Sequence, residues 1–255
     1  MLIVISPAKK LDYDTPAPVG ECTLPELLDA SRQLIDILKD YSVEQIAGLM
    51  KLSDKLAQLN HDRYQSWTPK ISRDNAKQAL FAFKGDVYSG LNADQFEPDD
   101  IAFAQNHLRI LSGLYGVLRP LDLMLPYRLE MGAPLPNPRG RNLYDFWGDI
   151  ITDRLNEALA VQGDDVLVNL ASNEYFKAVR LKRLSGRIIT PQFKERHEDG
   201  GYKMIGIYAK KARGLMSRYL ITEQFSDPER LKAFDYAGYV YNKGLSKGDT
   251  WVFTR

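Results

Sequence analysis

Three segments of this 255-residue chain offer lysine, arginine or glutamate groups near turns. Ser6-Pro7-Ala8-Lys9-Lys10 follows a short apolar run, Tyr127-Arg128-Leu129-Glu130 lies just after Pro126, and Asn169 to Lys177 carries Ser172, Glu174 and Tyr175. A lysine in a partly dry cleft loses some of its preference for the charged form and can attack as a nucleophile, while a lysine–glutamate pair can pass a proton. Lys9, Glu130, Glu174 and Lys177 are therefore the candidates for an acid, base or nucleophile. The same groups also suit an ion-pair network that orders cleft walls, and no spacing among them is diagnostic of one reaction class.

A fourth segment, Ser112-Gly113-Leu114-Tyr115-Gly116-Val117-Leu118, follows an expected helix over Asp99–Leu111. Its two glycines permit a tight reversal and close backbone approach. A second helix soon afterwards would present free N–H groups and a positive dipole end to a phosphate, which is the physics of a helix-hairpin-helix element. Arg109 and Arg119 flank the turn and can add charged hydrogen bonds, and Tyr115 at its tip can stack on a base or sugar. An ordinary helix–helix turn fits these residues too, since two residues rather than one separate the glycines and Pro120 restricts the start of a second helix.

Charge is unevenly spread. The chain has 34 basic and 33 acidic residues, a net +1, yet residues 169–218 carry twelve basic against four acidic side chains and residues 105–141 five against two. Lys177, Arg180, Lys182, Arg183, Lys194, Arg196, Lys210, Lys211, Arg213 and Arg218 make a strongly positive cleft if they fold to one side, and the natural ligand of such a cleft is a polyanion. If they solvate separate faces, they make none.

Other chemistries are disfavoured. One cysteine, Cys22, and three scattered histidines give no thiolate or imidazole metal site, so no metal and no cofactor are expected. Neither a Gly-Lys-Ser/Thr phosphate loop nor a dinucleotide fingerprint is present. The first residues lack a basic start and a long apolar run, and no apolar stretch is long enough to span a membrane, so a cytoplasmic protein with no membrane partner is expected.

The elements that must hold these groups read as a mixed chain. Leu2–Ile5 and 165–170 suit buried strands. Helices are expected at Leu24–Leu38, at Val43–Leu59 with a break near Ser53, and at Asp74–Phe83, Tyr144–Leu159 and Lys210–Ile221. Arg187–Phe193 and Tyr202–Ala209 flank Asp199-Gly200-Gly201 as a hairpin, and Gly238–Tyr241 with Thr250–Thr254 suits a closing one. The expectation is an α+β (mixed α/β) fold: a single compact domain over 1–255 with a central sheet and surrounding helices.

Ser6-Pro7-Ala8-Lys9, Leu111 to Asp122, Pro126 to Met131, Asn169 to Lys177 and Lys210 to Met216 together resemble the YaaA family of bacterial peroxide-stress resistance proteins. The resemblance runs from Met1 to about Phe253 and is looser after about Ser226. It implies a cytoplasmic DNA-binding protein of the hydrogen peroxide response, tied to DNA repair and its proteins and to protection from iron-driven DNA damage. It also implies a single-domain α/β fold with a positively charged cleft and a helix-hairpin-helix element, here at about 99–125. The implied contacts with double-stranded or distorted DNA are Arg109, Ser112, Gly113, Tyr115, Gly116 and Arg119 in that element. The cleft would draw on Lys9, Arg128, Lys177, Lys210, Lys211 and Arg213, extended by Arg180, Lys182, Arg183 and Lys194 of the basic run. The resemblance implies no catalytic activity. A nucleic-acid- or nucleotide-processing enzyme using Lys9, Glu130, Glu174 and Lys177 in the same cleft is the alternative, and direct iron handling, left with carboxylate ligands alone, ranks last.

Overall fold

The computed structural model describes residues 1–198 and 200–255. Leu2-Ile3-Val4-Ile5 is apolar on both faces, and such a strand is stable only when both faces are covered. It forms β1 (Leu2–Ile5), buried throughout. The remaining strands are β2 (Lys10–Leu11), β3 (Lys77–Gln78), β4 (Phe83–Lys84), β5 (Leu108–Ser112), β6 (Gly116–Leu118), β7 (Leu123–Met124), β8 (Val166–Leu170), β9 (Arg187–Arg196), β10 (Tyr202–Lys203), β11 (Val240–Tyr241) and β12 (Thr250–Thr254). The main sheet has the order β11-β12-β9-β8-β1-β5-β6, with β10 also paired to β9. Its centre, from β12 to β5, is parallel, while β11, β10 and β6 pair antiparallel with β12, β9 and β5. From β1 the chain goes first to β5 on one side and later to β8 on the other, so the strand order reverses at β1.

Helices surround this sheet: α1 (Leu28–Lys39), α2 (Val43–Met50), α3 (Asp54–Ser66), α4 (Ala79–Ala82), α5 (Asp86–Leu91), α6 (Pro98–His107), α7 (Leu143–Trp147), α8 (Ile150–Gln162), α9 (Asn173–Phe176) and α10 (Gly206–Glu223). This is the mixed α/β domain with a central sheet that the pattern of apolar runs predicts. The break expected near Ser53 falls between α2 and α3, where Lys51 takes a left-handed conformation and Ser53 an extended one. The closing hairpin forms as β11 and β12, with β12 also joining β9 in parallel. Across the other expected hairpin, β9 and β10 pair antiparallel; Asp199 of its turn lies outside the described residues. No helix among the described residues is long and apolar enough to cross a membrane.

Several expectations are corrected. The helix predicted over Asp74–Phe83 is instead β3, the single turn α4, and β4. Buried Lys77 donates to the carbonyls of Asp12 and Thr15, and Gln78 to those of Val19 and Glu21, so long-range contacts override local helix preference. The stripe from Tyr144 to Leu159 divides into α7 and α8 at Gly148, whose φ is +49°. The pattern over Tyr202–Ala209 holds only two strand residues before α10 begins at Gly206.

The largest correction concerns 99–125. One helix, α6, is followed by a β-hairpin rather than by a second helix. Ile110 lies opposite Leu118, Leu111 opposite Val117 and Ser112 opposite Gly116, and β7 follows Arg119 in place of a helix. Leu108, Ile110 and Leu111 continue the apolar pattern of α6, but beside β1 they gain a parallel sheet partner that buries both faces. Gly113 packs so closely on the next segment that a Cβ there would lie 2.2 Å from the Leu129 carbonyl oxygen. Tyr115 is fully buried, and its hydroxyl accepts from Trp67 Nε1 and from the Leu125 N–H, at 3.2 and 3.0 Å. The Ser112–Gly116 turn is thus part of the core.

Candidate functional site

In parallel sheets, ligands bind beyond the carboxyl ends of the strands where strand order reverses. Here that place is the end of β1 and its neighbour β8, and a cavity of about 470 Å³ lies there. β1 runs into Ser6–Lys10 and β8 into Ala171–Tyr175, and the two loops are tied together. The Ser172 N–H donates to Ser6 Oγ at 2.8 Å, and Ser6 Oγ lies 3.3 Å from Ser172 Oγ. Segment Tyr127–Glu130 forms another wall, held by the Tyr64 hydroxyl donating to the Arg128 carbonyl.

The last wall comes from α5 and α10, which cross with backbones nearly touching. A Cβ on Gly90 would lie 2.2 Å from the Lys211 carbonyl oxygen, and one on Gly214 would lie 1.9 Å from that of Val87. Two glycines make this approach possible, and it sets Lys210 and Arg213 on the cavity.

The wall charges fall into two kinds. Glu130 Oε1 accepts from Lys9 Nζ at 3.0 Å and from Arg128 Nη2 at 2.9 Å and Nε at 3.2 Å. Burial pushes the Glu130 carboxyl up, but the hydrogen bonds and charges of Lys9 and Arg128 outweigh it and hold the group below the usual range. Lys84 reaches Asp12 and Asp94. By contrast Arg213 is half-buried, and among the described residues no carboxylate lies within ion-pair distance of it and no side-chain acceptor meets it. Burial alone acts on its guanidinium, lowering its pKa. Lys10 and Lys210, both exposed at the mouth, likewise have no ion-pair partner among the described residues.

Glu174 Oε1 accepts from the Gly132 N–H at 3.0 Å. The Tyr88 hydroxyl donates to the Ser6 carbonyl, and that of Tyr127 bonds Ser112 Oγ, which turns the two rings into a cavity wall with committed polar tips. Burial raises the pKa of Tyr88 and Tyr127, and of Tyr175 beside them, so all three stay neutral.

Of the residues singled out in the sequence, Lys9, Arg128, Glu130, Glu174, Lys210 and Arg213 line this one cavity, so one arginine of the 105–141 stretch meets two cations of the 169–218 stretch there. Lys177 stands just outside, its Nζ 5.0 Å from the Tyr144 ring centre, and the Tyr144 hydroxyl donates to the Glu174 carbonyl at 2.9 Å. Lys211 contributes backbone to the helix crossing.

The others are elsewhere. Arg109 is spent on the carbonyls of Gln105, Asn106 and Leu108. Arg119 is paired with Asp122 and Glu26, and Ser112, Gly113, Tyr115 and Gly116 are buried. Arg183 pairs with Asp149 and Asp153, and Arg180 donates to the Gly148 carbonyl, with Lys182 in the same turn. Lys194 lies on β9.

Sequence reasoning missed Lys84 and Asp86, which flank Gly85 without any recognisable pattern, and Tyr88, whose role appears only once α5 is placed. Lys10 was visible beside Lys9 and is separated from it only by its lack of a carboxylate. Among the described residues no group of three or more His, Cys, Asp or Glu is arranged to hold a metal ion.

Comparison with known proteins agrees with the motifs. A UPF0246 protein of Shewanella amazonensis is 59% identical over 255 residues, spanning 100% of this chain and 99% of the relative. A family model described as peroxide stress protein YaaA matches residues 1–245. The chain belongs to the peroxide stress protein YaaA family.

Proposed function

We propose that the protein serves the peroxide stress response by binding double-stranded or distorted DNA through the cationic mouth of this cavity, limiting iron-driven damage alongside DNA-repair proteins in the cytoplasm. The observation that carries the reading is Arg213, a half-buried guanidinium with neither a carboxylate nor a hydrogen-bond acceptor among the described residues. A desolvated, uncompensated charge is unfavourable in the free protein, and an anion such as a phosphate group completes it. Lys10 and Lys210, without an ion-pair partner among the described residues, extend the positive surface along which a phosphate backbone can run. Such contacts fix position and strength and carry little base information.

Fluorescence-anisotropy titration of labelled duplex, bubbled and four-way-junction DNA at several salt concentrations tests this. Expected are a steep negative salt slope and a shallower one for Lys210→Ala. No binding at low salt overturns the reading.

One observation favours a second reading, a nucleic-acid- or nucleotide-processing enzyme. Among the described residues Glu130, beside Lys9, and Glu174 each commit only Oε1 to hydrogen bonds, leaving the other carboxylate oxygen free. Under it, Glu174→Gln abolishes turnover and leaves DNA affinity intact. Retained turnover removes Glu174 from the chemistry.

A further inference from the structure

A volume of about 470 Å³ suits a small molecule, whereas a double helix can only lie across the mouth. The interior is built in three chemical zones. Arg213 and Lys210 on α10 offer cationic donors with no partner of their own among the described residues. Tyr175, half-buried on the cavity wall beside the buried rings of Tyr88 and Tyr127, offers apolar ring surface, and the hydroxyls of Tyr88 and Tyr127 are tied to Ser6 and Ser112. Glu130 and Glu174 offer acceptors, since the Oε2 atom of each has no hydrogen-bond donor among the described residues. Lys9 and Arg128 keep Glu130 ionised, so its free oxygen can only accept.

We infer that the cavity holds a single nucleoside monophosphate unit whose base carries an exocyclic amino group. The phosphate meets Arg213 and Lys210, the base lies along the tyrosines, and its amino edge donates to Glu130. This deepens the DNA reading of the same site. The unit can come from a free nucleotide or from one nucleotide turned out of a DNA strand, as happens where proteins reach a base that stacking would hide.

The test uses the full chain. Calorimetric titrations compare adenosine, cytidine and uridine monophosphates with inorganic phosphate and adenosine. Adenosine and cytidine monophosphates are expected to bind at least about tenfold more tightly than phosphate or adenosine, the range that charged hydrogen bonds supply. Arg213→Ala is expected to remove about tenfold. Glu130→Gln is expected to weaken adenosine monophosphate and leave uridine monophosphate, which has no amino group, unchanged. Lys210 is exposed, so Lys210→Ala supplies a second reading if Arg213→Ala fails to fold.

In parallel, anisotropy compares a duplex carrying one unpaired nucleotide with the fully paired duplex and with an abasic version. Preference for the unpaired nucleotide identifies the strand as the source; mononucleotide binding without that preference identifies the free nucleotide. Mononucleotides that bind no better than phosphate, together with no preference for the unpaired nucleotide, overturn the inference, while duplex binding in the same experiment leaves the DNA reading standing. Mononucleotide binding with no DNA binding does the reverse.

Discussion

Arg119 and Arg213 sit in segments that look equally basic in the sequence, yet the molecule uses them in opposite ways. Arg119 donates from Nη2 to Asp122 Oδ1 at 2.8 Å and to the Leu24 carbonyl at 2.9 Å, and Glu26 lies 3.3 Å from Nη1. Asp122, only 1% exposed, also accepts from the Thr23 hydroxyl and the Arg119 N–H, so the corner is closed. Among the described residues Arg213 has no carboxylate within ion-pair distance and no hydrogen-bond acceptor for its guanidinium, and it lines the cavity. A charge whose partners are built in belongs to the architecture. A charge held half-dry without one is a cost that only a ligand offsets, and stability is commonly given up in this way at binding sites.

Breaking the closed corner has the largest expected effect. Asp122→Ala leaves Arg119 and Thr23 without their shared acceptor and is expected to cost about 3–5 kcal/mol in urea denaturation. DNA affinity, measured where the variant is still folded, should not change. A cost below about 1 kcal/mol would erase the contrast with Arg213. Next comes the helix crossing that aims α10. Gly214→Ala drives a methyl group into the Val87 carbonyl, and α5 and α10 must separate. The expected cost is about 1–3 kcal/mol, with loss of DNA affinity because Lys210 and Arg213 move together. Retained affinity would detach the crossing from the site.

Arg213→Met tests the open side directly. DNA affinity is expected to fall about tenfold. The unfolding free energy should stay level or rise by up to about 1 kcal/mol, since an unpaired half-buried charge is removed. Stability falling by as much as in the Arg119 corner would show that Arg213 is architectural after all.

The limits of the sequence show in the same residues. β1 and β8 are legible because an apolar run flanked by turn residues has few other uses, and the motifs at their ends, Ser6–Lys10 and Asn169–Lys177, were legible with them. The Ser112–Gly116 turn was not, because Leu108–Leu111 continues the apolar pattern of α6, and only the neighbouring β1 decides that it is a strand. Arg109 and Arg119 looked available because Arg109's partners are backbone carbonyls, and because the corner that Asp122 begins three residues after Arg119 is completed by Leu24, 95 residues away. Local spacing names the groups that can bear charge, and long-range contacts decide which of them remain unpaired.

The smallest expected effect lies at Glu130, which stands between the two extremes: it is paired, but its partners belong to the cavity. Its carboxyl is held below the usual 4.5 by Lys9 and Arg128 against the opposing push of burial. A carboxyl depressed on folding adds stability that is fully present above its unfolded pKa and disappears as pH falls through the folded one. Glu130→Gln should therefore be less stable than the native chain at neutral pH, by less than about 1 kcal/mol because the Lys9 end is largely exposed to water. The two stability curves should converge below pH 4.5. Parallel curves over the whole acid range would mean that Lys9 and Arg128 do not hold the carboxylate, and Glu130 would then be as open as Arg213.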